Sequence, residues 1–177
     1  RFHAQKYAAH PDSTLIAVVD TNKDQADAIA TELGCGAETK IEAIANQVDA
    51  VSIVTPTRLH HAIAEPLLNA GVHVLIEKPM TTTLDEADAL LAAADRSGAM
   101  LQVGHLERFN PADVAAAAEI NDPLFIESHR IAPFNPRGAD VSVVLDLMIH
   151  DIDLILELVD SPVEKIDASG AAVISNE

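Results

Sequence analysis

The sequence of 177 residues is poor in several kinds of residue, and each shortage excludes a class of protein. Its one cysteine, Cys35, allows neither an internal disulfide nor a zinc site built on cysteines. Lys and Arg number 11 against 28 Asp and Glu. The resulting net charge of −17 argues against binding to nucleic acid or to an anionic membrane surface. No apolar run approaches the roughly 18 residues of a transmembrane helix. We therefore expect a protein of the reduced cytoplasm.

Aromatic residues and glycines are also scarce. Aromatics make up 3% of the chain, without tryptophan, whereas hydrophobic residues make up 49%, which argues against disorder and predicts a core of helices and Val/Ile/Leu strands. There are seven glycines, and the first is Gly34. The chain starts at Arg1 and ends at Glu177, soon after a strand-like run, so we expect it to be cut at both ends.

Short apolar runs alternate with helical patterns from residue 15 to about residue 105. The runs, each suited to a buried parallel strand, are residues 15–19, 50–54, 72–76 and 100–103. One intervening helix starts at Asn22 and stops at Gly34, and another starts with the capping box Thr83 and Glu86. Pro66 should kink or split the helix between them. This alternation predicts a doubly wound parallel sheet that binds ligands at the carboxyl ends of its strands.

The pattern changes after the fourth run, which predicts the start of a second α+β unit. Its expected elements are helices over 111–119 and 142–159 and strands over 125–131 and 163–173. We place the boundary so that the first domain covers 1–106 and the incomplete second domain 107–177.

Asp20 ends the first apolar run. An acidic residue at this place in a dinucleotide-binding fold bonds the adenosine ribose hydroxyls and favours NAD over NADP. The matching glycine fingerprint should lie about 20 residues upstream, at or before Arg1. Either there is no dinucleotide site, or its glycine loop has been removed. The ordinary alternative is that Asp20 serves as a turn residue or helix cap.

The tripeptide Glu77-Lys78-Pro79 closes a predicted strand. Its proline interrupts the ladder and restricts the lysine before it, and the bond between them can be cis. The ordinary alternative is a solvated charge pair before a turn. A phosphoacceptor receiver domain also ends a strand in Lys-Pro, but here Thr55 stands at the end of the preceding run, where that reading needs an acidic residue.

Asp146 and His150 are four residues apart on a predicted helix, and Asp153 and Glu157 extend their face. The ordinary alternative is that these four residues form the solvent-exposed polar face of an amphipathic helix. However, apolar residues cover nearly all of the remaining circumference, which predicts a largely buried helix and a tuned acid–base pair. The eight histidines have no metal-ligand spacing, so we expect no metal site.

At Glu77-Lys78-Pro79 and Asp146-x-x-x-His150 the sequence resembles the glucose–fructose oxidoreductase and inositol dehydrogenase (Gfo/Idh/MocA) family, over essentially the whole chain. Residues 102–112 and 140–156 look like the branch that oxidises UDP-N-acetylglucosamine at C3. The resemblance implies a Rossmann sheet that lacks its first strand and glycine loop. It also implies part of a second α+β domain with an open antiparallel sheet, whose other strands lie beyond the chain.

The resemblance further implies the roles of site residues. Lys78 would lie near the reacting hydroxyl, with Asp146 and His150 as its partners across a cleft. A base with a pKa near the working pH suits removal of the hydroxyl proton, so His150 is the expected general base and Asp146 its support. The residues expected to line the cofactor are Asp20, Thr55, Pro56, His60, Glu77 and Lys78. Arg108, Arg130 and Arg137 are candidates for a substrate diphosphate, because cations are rare in this chain.

The leading hypothesis is an NAD-dependent dehydrogenase, with NADP disfavoured, that oxidises a sugar or nucleotide sugar. The alternatives are an inositol-type polyol dehydrogenase and a sensor that binds a nucleotide without catalysis. The acidity itself can reflect a salt-rich cytoplasm. By family likeness, we expect a homodimer or homotetramer.

Overall fold

The computed structural model describes residues 1–131, 133 and 142–171. Two compact units make up the chain, Arg1–Val103 and Gly104–Glu177, and each is described by itself. The predicted domain boundary lies three residues after the end of the first unit. The roles assigned to the two domains stay predictions.

The first unit alternates helices with parallel strands. Its elements are α1 (Phe2–Ala9), β1 (Ala17–Val19), α2 (Lys23–Leu33), β2 (Gly36–Glu38), β3 (Ala50–Ile53), α3 (His60–Asn69), β4 (His73–Ile76), α4 (Leu84–Ser97) and β5 (Leu101–Val103). Every strand pair in this unit is parallel. The predicted α/β class with a parallel sheet is therefore confirmed.

The strands form two sheets, one of β1 and β2 and one in the order β3-β4-β5. The doubly wound order of a dinucleotide-binding domain is 3-2-1-4-5-6. Removing strand 1 from that order leaves two groups, of two and three strands, with the connectivity observed here. The division between β1 and β3 thus matches a doubly wound sheet that lacks its first strand.

Local capping sets the ends of α2 and α4. The Asn22 side chain accepts a hydrogen bond from the Gln25 amide, and α2 ends at Gly34, whose φ of 71° suits glycine. Thr83 and Glu86 form the predicted capping box of α4. Gly98 then ends α4 in the left-handed region, with a φ of 72°.

Pro66 does not split α3, so that half of the expectation is wrong, whereas a kink at Pro66 stays a prediction. The helix continues to Asn69, and the Pro66 carbonyl still accepts a bond from the Ala70 amide. Pro66 removes only one donor, while Leu67 and Leu68 beside it are buried in the core and hold the helix in place.

The core of the first unit lies between the β3-β4-β5 sheet and helices α3 and α4. Its buried members are Ile53, Ala64, Leu67, Leu68, Val72, Val74, Ile76, Leu90, Ala93, Ala94 and Ala99. Four of them are alanines, so α3 and α4 can approach closely and the core needs no aromatic residue.

Helices are the regular secondary structure among the described residues of the second unit. They are a 3₁₀ helix (Leu106–Phe109), α5 (Pro111–Ala117), a π-helical turn (Val144–Met148) and α6 (Ile149–Leu158). The strands predicted over 125–131 and 163–173 are not found among its described residues, and residues 172 and 173 lie outside them. A strand needs a paired neighbour, which the described residues of this unit do not supply. The predicted open antiparallel sheet is therefore not found in the described part of the chain.

The predicted burial of the long helix is also wrong for the described structure. No residue of α6 is buried, and Ile152 and Leu156 are exposed on it. The helix is rich in apolar residues, but burial requires a packed layer that the described residues of this unit do not form. Among those residues, and among the described residues of the first unit, no helix is long and apolar enough to span a bilayer.

Adjacent leucines on α4 test where the core lies. Leu90 is 0% exposed, whereas Leu91 is 52% exposed. Leu90→Ala should lower the free energy of unfolding by about 2–5 kcal/mol, because it leaves a cavity among packed side chains. Leu91→Ala is the control and should change it by less than about 1 kcal/mol. Urea unfolding followed by circular dichroism measures both, and equal losses would contradict the assigned core.

Candidate functional site

The candidate residues of the first unit lie where β3 and β4 end. Ile53 pairs with Ile76 in the parallel ladder, so the segments that begin at Val54 and Glu77 leave the sheet at the same edge. Thr55 and Pro56 are exposed there, and Lys78 is half-buried. The structure thus brings together the predicted residues that follow these two strands.

His3 on α1 joins the two strands at this edge. Its Nδ1 lies 2.7 Å from Ser52 Oγ, and its Nε2 lies 2.9 Å from Glu77 Oε1. The side chains of His3 and Glu77 are only 25% and 26% exposed. This contact was not predicted, because its partners are 49 and 74 residues away in sequence. The one local hint is a serine inside the apolar run of β3.

His60 also contacts the segment after β4. Its Nδ1 is 3.0 Å from the Pro79 carbonyl oxygen, and its Nε2 is 2.8 Å from the Thr55 carbonyl oxygen. The bond between Lys78 and Pro79 is cis, as the sequence allowed. His60 is buried, so direct contact between its ring and a cofactor stays a prediction.

Asp20 follows β1 and holds the turn into α2. Its amide donates to the Glu38 carbonyl, and its Oδ1 accepts from the Asn22 amide at 2.8 Å. Asp20 therefore serves as a turn residue, which is the ordinary alternative that the sequence offered. It uses Oδ1, and the carboxylate has a second oxygen, so a ribose contact is compatible with the turn.

In the second unit, two arginines bind carboxylates. Arg108 binds Asp153 through Nε and Nη2, each at 2.7 Å, and it also contacts Glu157. Arg130 binds Asp151 at 2.7 and 3.0 Å. A diphosphate would compete with these carboxylates, so the predicted role of both arginines stays a prediction. Arg137 lies outside the described residues.

These ion pairs lower the pKa values of the two aspartate carboxylates that the arginines bind. The hydrogen bond from Arg108 is the main cause that holds the pKa of Asp153 below its ordinary value, against the opposing effect of burial. The hydrogen bond from Arg130 likewise lowers the pKa of Asp151. Both pairs therefore stabilise the folded chain above the ordinary carboxyl pKa, and this stabilisation is lost as the pH falls through the lowered values.

Asp146 lies in the π-helical turn, and His150 is the second residue of α6. Both are half-buried. Their predicted partnership assumed a regular α-helical turn, whereas a π turn is wider. Their pairing, and a shared role with Lys78 of the first unit, stay predictions. Asp153 and Glu157 share a face, because both contact Arg108.

No group of three or more metal-ligating side chains is arranged to hold an ion in the part of the chain that the structure describes. What the first unit offers is a carboxylate after β1, together with polar and charged groups after β3 and β4. This set suits a ligand with hydroxyl donors and an extended shape, as a dinucleotide has.

Comparison with known proteins identifies the family. Residues 1–105 match the profile of the Gfo/Idh/MocA oxidoreductase family, described as having an NAD-binding Rossmann fold. The chain therefore belongs to this family. The Rossmann fold of this family agrees with the strand order of the first unit.

Three relatives illustrate the similarity. The chain is 46% identical over 177 residues to UDP-N-acetylglucosamine 3-dehydrogenase of Acidithiobacillus ferrooxidans, covering 99% of this chain and 56% of that protein. A solved structure of that protein gives a TM-score of 0.90 over 98% of this chain and 57% of the other. Inositol 2-dehydrogenase of Rhizobium meliloti is 31% identical over 185 residues, with coverage of 98% and 56%.

The third relative is GenD2 from gentamicin A biosynthesis, solved in complex with NAD. It is 26% identical, with a TM-score of 0.78 and coverage of 90% of this chain and 50% of its own. The chain spans about half the length of the curated relatives it matches.

The two arginine–aspartate ion pairs of the second unit can be tested in one experiment, in which each pair serves as the control for the other. Arg108→Met should raise the pKa of Asp153 towards its ordinary 3.8 and leave that of Asp151 low. Arg130→Met should do the reverse, because each carboxylate depends mainly on its own arginine. Carboxyl ¹³C chemical shifts followed from pH 2 to 6 measure both pKa values. A variant that moves both carboxylates equally, or neither, would contradict the assigned pairing.

Proposed function

We propose that the natural protein containing this chain is an NAD-dependent sugar dehydrogenase that oxidises C3 of a UDP-N-acetylamino sugar. The observation that carries the proposal is the 46% identity to UDP-N-acetylglucosamine 3-dehydrogenase over nearly the whole chain. The chain contains Lys78, Asp146 and His150, to which the proposal assigns the oxygen and proton steps.

The first unit supports NAD as the cofactor. Asp20 would accept hydrogen bonds from the adenosine ribose, and a carboxylate there disfavours the 2′-phosphate of NADP through charge repulsion. Thr55 and Pro56 would line the cofactor after β3, and Glu77 and Lys78 would do so after β4. His3 holds the Glu77 carboxylate at 2.9 Å, so this side chain is already oriented.

Oxidation of a carbinol requires loss of a hydride and of the hydroxyl proton. Bound NAD would supply the hydride acceptor, while the chain's own residues handle the oxygen and the proton. The Lys78 ammonium would hold the oxygen and stabilise its developing negative charge. His150 would take the proton at a ring nitrogen, and Asp146 would orient that ring.

An inositol-type dehydrogenase is the second candidate, favoured by the 31% identity to inositol 2-dehydrogenase. Both candidates share the hydride and proton steps and differ in the substrate bound, which is a nucleotide sugar in one case and a cyclic polyol in the other. A sensor that binds a nucleotide without turnover is disfavoured, because Lys78 and His150 are both present in the chain. Cytoplasmic location and assembly into a homodimer or homotetramer stay predictions.

Turnover by the full-length natural protein tests the proposal. NADH absorbance should rise with UDP-N-acetylglucosamine and rise far less with myo-inositol. Lys78→Met and His150→Asn should each lower kcat by about 10²-fold or more, because each removes a group that acts on the reacting hydroxyl.

The matched controls are Lys165→Met and His129→Asn, which alter exposed side chains and should keep wild-type kcat. Wild-type kcat in Lys78→Met or His150→Asn would contradict the assigned role of that residue. Preferred oxidation of myo-inositol would favour the second candidate. NAD binding without any absorbance change would favour the sensor.

The carboxylate after β1 gives a separate test of cofactor choice. Asp20→Ala should lower the ratio of kcat/KM for NAD to that for NADP by about tenfold or more, because a charge-assisted hydrogen bond to the ribose is lost. Asp24→Ala, an exposed acidic residue in the first turn of α2, is the control and should leave the ratio unchanged. An unchanged ratio in Asp20→Ala would contradict the ribose contact.

A further inference from the structure

His60 is unusual among the interior residues of the first unit. It is 1% exposed and ranks with Leu67, Leu68, Ile76 and Leu90 among the largest fully buried side chains. The other buried polar side chains of the described chain are Thr57 and Thr81. Thr57 lies just after β3 and Thr81 just after β4, so the buried polar groups cluster at the same two turns.

The contacts of the His60 ring connect these turns. Nε2 faces the Thr55 carbonyl oxygen at 2.8 Å on the β3 side. Nδ1 faces the carbonyl oxygens of Pro79 at 3.0 Å and Met80 at 3.3 Å on the β4 side. All three partners are backbone atoms. The ring therefore contacts the backbone at both turns, and these contacts do not depend on which side chains the turns carry.

Carbonyl oxygens only accept hydrogen bonds, so the ring must donate. A neutral imidazole has one N–H and donates to one turn at a time, whereas an imidazolium donates to both. A buried hydrophobic side chain would leave these carbonyls without the donor. The turn after β3 carries Thr55 and Pro56, and the turn after β4 begins with Glu77 and Lys78.

We propose that His60 is a positioning residue: its buried ring ties the turn after β3 to the turn after β4 and thereby sets the places of Thr55 and Lys78. This role rests on the proposed function only where it concerns NAD and turnover. The tie between the turns is a property of the first unit that can be measured without ligand.

Four variants of the full-length natural protein test the tie. His60→Phe keeps a ring of similar size and cannot donate a hydrogen bond to either turn. His60→Gln offers an amide donor near the position of Nε2, and His60→Asn offers one near the position of Nδ1. His61→Phe is the matched control. His61 is the next residue of α3, and its Nε2 lies 3.5 Å from Glu65 Oε2 one turn further along the same helix.

Amide hydrogen exchange without ligand is measured first. In His60→Phe, exchange should accelerate by about tenfold in residues 54–58 and 77–82, with α4 and β5 unchanged. His60→Gln should restore slow exchange mainly in 54–58, and His60→Asn mainly in 77–82. His61→Phe should match the wild type. Uniform acceleration across the first unit, no acceleration, or no restoration by either amide variant would overturn the tie.

Calorimetric titration with NAD then tests the positioning role. The dissociation constant should rise about tenfold in His60→Phe and less in the two amide variants, in the order of their exchange protection. Unchanged affinity in His60→Phe, with wild-type binding intact, would overturn the positioning role. If the wild type binds no NAD, the proposed function fails, and the exchange pattern alone decides whether His60 ties the turns.

Discussion

The parallel register of β3, β4 and β5 is the constraint on which the candidate site depends. Ile53, Ile76 and Val103 lie opposite one another in the ladder, so these three strands end at one level. Whatever follows them must emerge at the same edge of the sheet. The candidate residues after β3 and β4 are therefore neighbours because of backbone pairing, although Thr55 and Glu77 are 22 positions apart in sequence.

Two histidines use this edge from different elements. His3 reaches from α1 to the Glu77 carboxylate, and His60 reaches from the start of α3 to the backbone at Thr55 and Pro79. The surrounding core is made of alanines and aliphatic residues, which fill space but cannot orient polar groups. Orientation at the edge thus comes from a few hydrogen bonds, and all of them except the one between His60 and Thr55 join residues at least 19 positions apart in sequence.

Features that depend on local chemistry could be predicted from the sequence. The Thr83–Glu86 capping box and the glycine that ends α2 follow from neighbouring residues, and both are confirmed.

Other features could not be predicted from neighbouring residues. The three-residue strand β2 contains no apolar run that would predict a strand, and only its pairing with β1 defines it. The contacts of His3, and the contact of His60 with Pro79, join residues distant in sequence, so neighbouring residues do not predict them. In the second unit, the sequence predicted a strand over 125–131, and the structure has none there. A strand also needs a second strand to pair with, and the composition of one segment does not reveal whether that partner is present.

The most direct test of the central claim is a crystal structure of the full-length natural protein with NAD bound. The account predicts that the nucleotide lies along the carboxyl ends of β1, β3 and β4. It also predicts that the adenosine ribose is hydrogen-bonded to Asp20 and that Lys78 lies beside the nicotinamide. Density for the nucleotide at the opposite edge of the sheet, or a ribose held without Asp20, would contradict it.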